Sequence, residues 1–309
     1  MNPQAEISLD VILAAFAGTA VVWAWLAGRW RRRLPLLRYE PRRRVPWQGW
    51  DVLLVALFYL LALDAAGRIV ATVLGPERIE PLPQAAAAAG AEHPAPVHPL
   101  VQLVRHGNAW MLLAAGVVAV VVAPIAEEFL FRVLLQGTLA AAERRRRRIL
   151  PALRLLPAGA LPIALSSLVF AAMHIRTGDK KYCLEYLFAM LAGQAAVNVL
   201  TMVVAVAWVR IRVGATARDL GWVSDRLPSD LRLGLVAFAA VAVPIYAIQV
   251  GLMMLLPRGM AADPFSLFFF ALVLGLLYYR THRIVPGIVL HMSLNATSLL
   301  WLAWQTGMQ

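Results

Sequence analysis

Eight apolar stretches dominate this chain of 309 residues, at about 8–28, 50–75, 109–141, 155–174, 187–209, 233–256, 264–279 and 286–305. Most approach or exceed the roughly 20 residues that a helix needs to cross a bilayer core at about 1.5 Å per residue. Lipid offers the backbone no hydrogen-bond partners, so such segments must form helices that satisfy their own N–H and C=O groups. The expected fold is all-α, a polytopic transmembrane helical bundle of about eight spans. The 109–141 stretch is too long for one upright helix and short for two. With Pro124 in its middle, it reads as one broken or tilted span.

Composition agrees with that class. The chain is 61% hydrophobic and 15% charged, against roughly half and a quarter in soluble domains, and its mean hydropathy is +0.69. The net charge of +12 does not point to nucleic acid, because the arginines fall in short blocks between apolar runs, as in RWRRRLPLLRYEPRRR (29–44) and RRRRR (144–148). Blocks of this kind fix orientation in a membrane and touch anionic lipid. With eight spans and the N-terminus outside, the loops 29–44, 143–154, 210–232 and 280–285 face the cytoplasm and hold 21 of the 29 Lys and Arg, against six in the external segments. The N-terminal MNPQAEISLD carries no basic residue and does not read as a cleavable signal peptide, so the first run is expected to stay as an anchor. Cys183, the single cysteine, excludes an internal disulfide and a cysteine-based metal site. The segment 76–108 is rich in Ala and Pro and is expected to be a poorly ordered external linker, with solvated His93, His98 and His106 in or beside it.

The chemistry lies in three of the apolar runs. APIAEEFLFRVLLQG places Glu127, Glu128 and Arg132 where lipid-facing residues would be expected, and an isolated charge there costs several kcal/mol, about 2.5–3.5 on insertion scales. Glu128 and Arg132 are four apart, share a helical face and can pair. Glu127 has Phe131 and Ala123 at those offsets, so it needs a partner from another helix, a proton or water. SSLVFAAMHI sets His174 four residues after Phe170, and IVPGIVLHMSLNATSLLW sets His291 four before Asn295. These are the only two histidines within the spans.

Together they form a set suited to amide hydrolysis by activated water. Glu127 can take a proton from water and pass it to a leaving amine. His174 and His291, with a glutamate, can hold a divalent metal such as zinc, or can donate to a developing oxyanion. Asn295 can add a donor, a metal oxygen or a bond that orients His291. Other membrane-protease signatures are missing: no histidine is followed by glutamate, there is no Gly-x-Ser-x-Gly, and RTGDKK lacks the first glycine of a Gly-x-Gly-Asp site.

The ordered set Glu-Glu-x-x-x-Arg (Glu127, Glu128, Arg132), Phe-x-x-x-His (Phe170, His174) and His-x-x-x-Asn (His291, Asn295) resembles the CPBP family of intramembrane proteases. That family groups type II CAAX prenyl endopeptidases with bacteriocin self-immunity proteins. The flanking FLFRVLLQG and LGLLYYRTHRIVPGIVLH agree. The resemblance implies a water-activating Glu127, with His174, His291 and Asn295 completing the catalytic set and Glu128, Arg132 and Phe170 supporting it. A metal ligated by His174, His291 and Glu127 is one mechanism argued for the family, and metal-free glutamate catalysis is the other. It implies a lipid bilayer as surroundings and a peptide or protein substrate, prenylated in one branch.

Four regions follow: 1–108, two spans with a basic cytoplasmic loop; 109–175, the first part of the protease core; 176–263, an atypical two-span insertion; and 264–309, the second part of the core. The arginine belts suggest a bacterial cytoplasmic membrane. The rival readings are a non-catalytic immunity or scaffold protein and an ion- or proton-coupled transporter. Linear counting puts His174 at the outer end of its span and His291 about five residues from the cytoplasmic end of its own, a vertical gap of about 20 Å. For the motifs to meet, either a span boundary lies elsewhere or a helix is half-length, kinked or re-entrant.

Overall fold

The computed structural model describes residues 9–37, 39–40, 45–75, 103, 107–175, 184–256 and 263–307. Most of the 76–108 linker with His93, His98 and His106, along with Asp179 and Cys183, lies outside them. The described residues form eight long helices and no strand: α1 (Leu9–Arg31), α2 (Gly49–Leu74), α3 (Ala109–Arg146), α4 (Ala160–Ala172), α5 (Leu184–Val213), α6 (Leu227–Leu255), α7 (Asp263–Thr281) and α8 (Val285–Gly307). Six of them, α2, α3 and α5 through α8, are long and apolar enough to cross a membrane. The chain is an integral, multi-pass membrane protein.

Pro124 does not break α3. The helix runs through 38 residues, about 57 Å, and widens into π-helical turns at Val118–Val122 and Glu128–Gln136. A proline in a helix lacks an N–H and clashes with the carbonyl four residues back, and a wider turn relieves that clash. In the first π turn the Ala123 N–H bonds to Val118 O. The carbonyl of Ala119 thereby loses its usual partner, and the next candidate, Pro124, has no hydrogen to give.

α4 is the second departure from the sequence expectation. It has 13 residues, a rise of about 20 Å, and it begins beside the end of α3, where the Glu143 carboxylate accepts from the Gly159 N–H at 3.0 Å. α5 ends beside the start of α2, where Arg212 pairs with Asp51 and the Trp208 indole donates to Asp51 at 2.9 Å. The start of α2 also meets α3 near its end, with 3.8 Å from a Cβ built at Gly49 to Thr138 Cγ2, so the start of α4 and the end of α5 lie on the same side and the chain crosses and returns between them.

Among the described residues, the two larger of three packed clusters hold most of the bundle. One joins Val55 of α2, Phe129, Val133 and Leu134 of α3, Ala205 and Val209 of α5, and Ile288 of α8. The other joins Ile245 of α6, Phe270 and Leu274 of α7, and Leu290 and Leu294 of α8. Because lipid tails are as apolar as leucine, close fit rather than burial from water holds such helices together. Gly234 of α6 shows how close: a Cβ there would lie 2.6 Å from Val289 Cβ. α1 lies along α6, with Thr19 Oγ1 and Trp23 Nε1 donating to the carbonyls of Ala239 and Ala240. At the α7–α8 corner, buried Arg283 pairs with Asp230 and, at 2.9 Å, with Glu40.

Candidate active site

Each motif helix carries a stripe at i, i+4 and i+8, one face of a regular helix: Glu128, Arg132 and Gln136 on α3, Ser166, Phe170 and His174 along α4 and its end, and Gly287, His291 and Asn295 on α8. The three stripes face one another. Glu128 and Arg132 are fully buried and paired, with 3.6 Å between Oε2 and Nε. Arg132 Nη1 donates to Ser166 Oγ at 3.3 Å, Ser166 donates to Gln136 Oε1 at 3.2 Å, and Gln136 Nε2 donates to Gly275 O of α7 at 2.8 Å. Neither Ser166 nor Gln136 is singled out by the motif reading. Their signal is plain, however: a polar residue in an apolar run, one turn from a motif residue.

His291 stands between the two carboxylates. Its Nδ1 is 3.3 Å from Glu128 Oε1, and its Nε2 is 3.8 Å from Glu127 Oε2. An ionised carboxylate only accepts, so the Glu128 contact places a proton on Nδ1 and leaves Nε2 facing Glu127. The Glu127 side chain is 22% exposed while that of Glu128 is 1% exposed, so the first carboxylate reaches open space and the second does not. The partner that Glu127 needed is thus on α8.

His174 Nδ1 lies 2.8 Å from Phe170 O. A carbonyl only accepts, so Nδ1 carries the proton, and Nε2 of the neutral ring presents a lone pair. Phe170, wholly buried, is the common wall: its ring centroid is 4.7 Å from that of His174 and 5.9 Å from that of His291, and the Arg132 guanidinium lies 5.5 Å from it. The 20 Å gap is therefore absent. Its cause is the low start of α4: His174 is 15 residues beyond Gly159 and Glu127 is 16 before Glu143, and these two reference residues touch. Both side chains then lie about 22–24 Å from that end.

Asn295 does not orient His291, whose ring nitrogens face the two glutamates. Its Nδ2 donates to Ala119 O at 2.8 Å, the carbonyl left unpaired by Pro124. That bond ties α8 to the turn ahead of Glu127.

Both histidines have Nδ1–H anchored, the second-sphere pattern typical of metal-ligating imidazoles. Yet among the described residues no three His, Cys, Asp or Glu side chains converge as a metal site requires. As arranged, Glu127, His174 and His291 do not fit a divalent ion.

The chain matches the family model of the Rce1-like type II CAAX prenyl endopeptidases over residues 109–217 and 221–297. It belongs to that family. The matched residues contain all three motifs of the Rce1-like set, and this assigns the chain at family level to the intramembrane CAAX-type proteases. No curated protein and no solved structure matches it.

Proposed function

We propose that this Rce1-like protein is an intramembrane endopeptidase that hydrolyses a peptide bond in a membrane-associated peptide or protein tail, with prenylated C-termini as one substrate class. The observation that carries the reading is the partly open Glu127 carboxylate 3.8 Å from His291 Nε2, beside a second glutamate already neutralised by Arg132. Glu127 takes a proton from a water, the water oxygen attacks the scissile carbonyl, and the same proton passes to the amine as the C–N bond breaks. Once Glu127 holds that proton, its O–H faces the His291 Nε2 lone pair, which steadies the protonated acid until the amine takes the proton. His174, with its Nε2 lone pair on the open side, accepts a hydrogen bond from water or from the substrate amide. The setting is a bacterial cytoplasmic membrane, with the basic belts on its inner face.

The test uses the purified full-length protein in nanodiscs with an internally quenched, farnesylated CAAX peptide and its unprenylated counterpart. The wild type is expected to cleave at least one, and Glu127→Gln to lose about 10²–10⁴-fold in kcat. Because the donors do not converge on a metal, cleavage is expected to survive chelation and dialysis. Equal cleavage by Glu127→Gln would overturn the glutamate mechanism. An inactive wild type would favour the non-catalytic immunity or scaffold reading.

A further inference from the structure

Arg132 is the permanent cation of the motif set, and it is fully buried. A guanidinium is rich in donors, yet Nε and Nη2 find no acceptor among the described residues. Nε stops 3.6 Å from Glu128 Oε2, beyond hydrogen-bond range. Left free, a guanidinium closes on a carboxylate as a two-pronged fork, and here it is kept from doing so. The restraint is at Nη1, which donates to Ser166 Oγ at 3.3 Å.

Ser166 is an acceptor toward Arg132 because its other neighbours leave it no choice. Ile163 O at 3.1 Å and Gln136 Oε1 at 3.2 Å both accept, so the single hydroxyl hydrogen goes to that side and a lone pair faces Nη1. Gln136 presents its oxygen rather than its nitrogen because Nε2 donates to Gly275 O at 2.8 Å, and a carbonyl only accepts. Gly275 belongs to α7, which carries no motif residue and packs along α4. A side chain there would crowd the junction, with a Cβ 3.0 Å from Gln136 Oε1. The anchor is backbone and does not rotate away. Orientation passes from Gly275 to Gln136, then to Ser166 and Arg132.

The consequence reaches the carboxylate that activates water. With Arg132 held off, Glu128 is balanced in charge but keeps Oε1 on His291 Nδ1 at 3.3 Å, and the same ring stands 3.8 Å from Glu127 Oε2 through Nε2. A guanidinium that forked Glu128 would draw on both oxygens and take Oε1 off the imidazole.

We infer that Ser166 and Gln136 are positioning residues for the hydrolysis: they hold the Arg132 guanidinium back from Glu128, so that Glu128 stays on His291 and His291 stays beside Glu127. Both are buried, so they touch no substrate and act only through Arg132.

The inference rests on the endopeptidase reading, and the experiment separates the two. With the same two peptides, Ser166→Ala is expected to lower kcat about 10²-fold, the loss that a misplacement of about 1 Å brings, with KM within about twofold. Gln136→Leu is expected to lower kcat less, because Ile163 O still takes the Ser166 hydrogen. The second readout is the Nδ1–H signal of His291, read by NMR in protein carrying isotopically labelled histidine and assigned by its loss in His291→Gln. It is expected to be single in the wild type and to shift or broaden in both variants; a role in packing alone would leave it in place. If Ser166→Ala does not fold, Gln136→Leu carries both readouts. With an active wild type, unchanged kcat or an unmoved Nδ1–H signal overturns the inference alone. A wild type inactive on both peptides overturns the endopeptidase reading, and the Nδ1–H signal then decides the positioning by itself.

Discussion

Gly287 shows how little room the site leaves at the scale of one residue. It sits one turn before His291, and a Cβ on it would lie 2.7 Å from Glu128 Oε2. That oxygen is held by Arg132 and the other by His291, so the carboxylate cannot swing aside without releasing one partner. The need for glycine comes from this approach, not from backbone conformation. Gly287→Ala is expected to push Glu128 off the imidazole, free the His291 tautomer and cost about 10²-fold in kcat, the scale of an ångström-sized misplacement, while the protein still purifies as a folded species. Peptide cleavage and thermal unfolding in micelles check this together; unchanged kcat would mean that the Glu128–His291 contact does not set the ring. PGIVLH in the sequence offers the spacing of Gly287 and His291, but that a carboxylate from another helix fills the space between them is a fact of packing.

At the scale of the element, Pro124, the π turn and Asn295 form one unit. A carbonyl without a partner in a membrane interior costs about 1–3 kcal/mol, and Asn295 supplies the donor that Ala119 O lacks. Asn295→Ala is expected to lose about 1 kcal/mol of stability, within the range seen for side-chain hydrogen bonds between membrane helices. Pro124→Ala restores an N–H five residues beyond Ala119 and so removes the reason for the bond. In that background Asn295→Ala is expected to cost little, giving a coupling of at least about 0.5 kcal/mol in denaturant unfolding of the micelle-bound protein. Additive losses would show that the two are independent. Here the limits of sequence reading are physical. Helical spacing placed Glu128 with Arg132 and His291 with Asn295 on shared faces, and both placements hold. It took Pro124 for a possible break, because a 3.6-residue period cannot show that the helix will absorb a proline by widening. It gave α4 a full crossing, because hydropathy marks the apolar run around it and not the low starting point at Gly159.

For the whole molecule, the decisive quantity is depth. Ends that meet in pairs, α3 with α4 at Glu143 and Gly159, α2 with α5 at Asp51 and Arg212, and α2 with α3 at Gly49 and Thr138, define one common side of the bundle. Arg144, Arg145 and Arg146 in the last turn of α3 lie on that side, as do Arg210 and Arg212 at the end of α5. The positive-inside bias therefore orients a set of ends that the packing has already grouped. Glu127 lies about 24 Å from the Glu143–Gly159 contact. The orientation can be read directly. In a Cys183→Ser chain, a cysteine placed at Arg146 is expected to react with a membrane-impermeant thiol reagent only after cells are opened, and one at Gly75, just past the other end of α2, to react in intact cells. The reverse pattern would put the basic side outside and turn the approach of the substrate to Glu127 over, since the helix ends are fixed relative to one another and can only invert together.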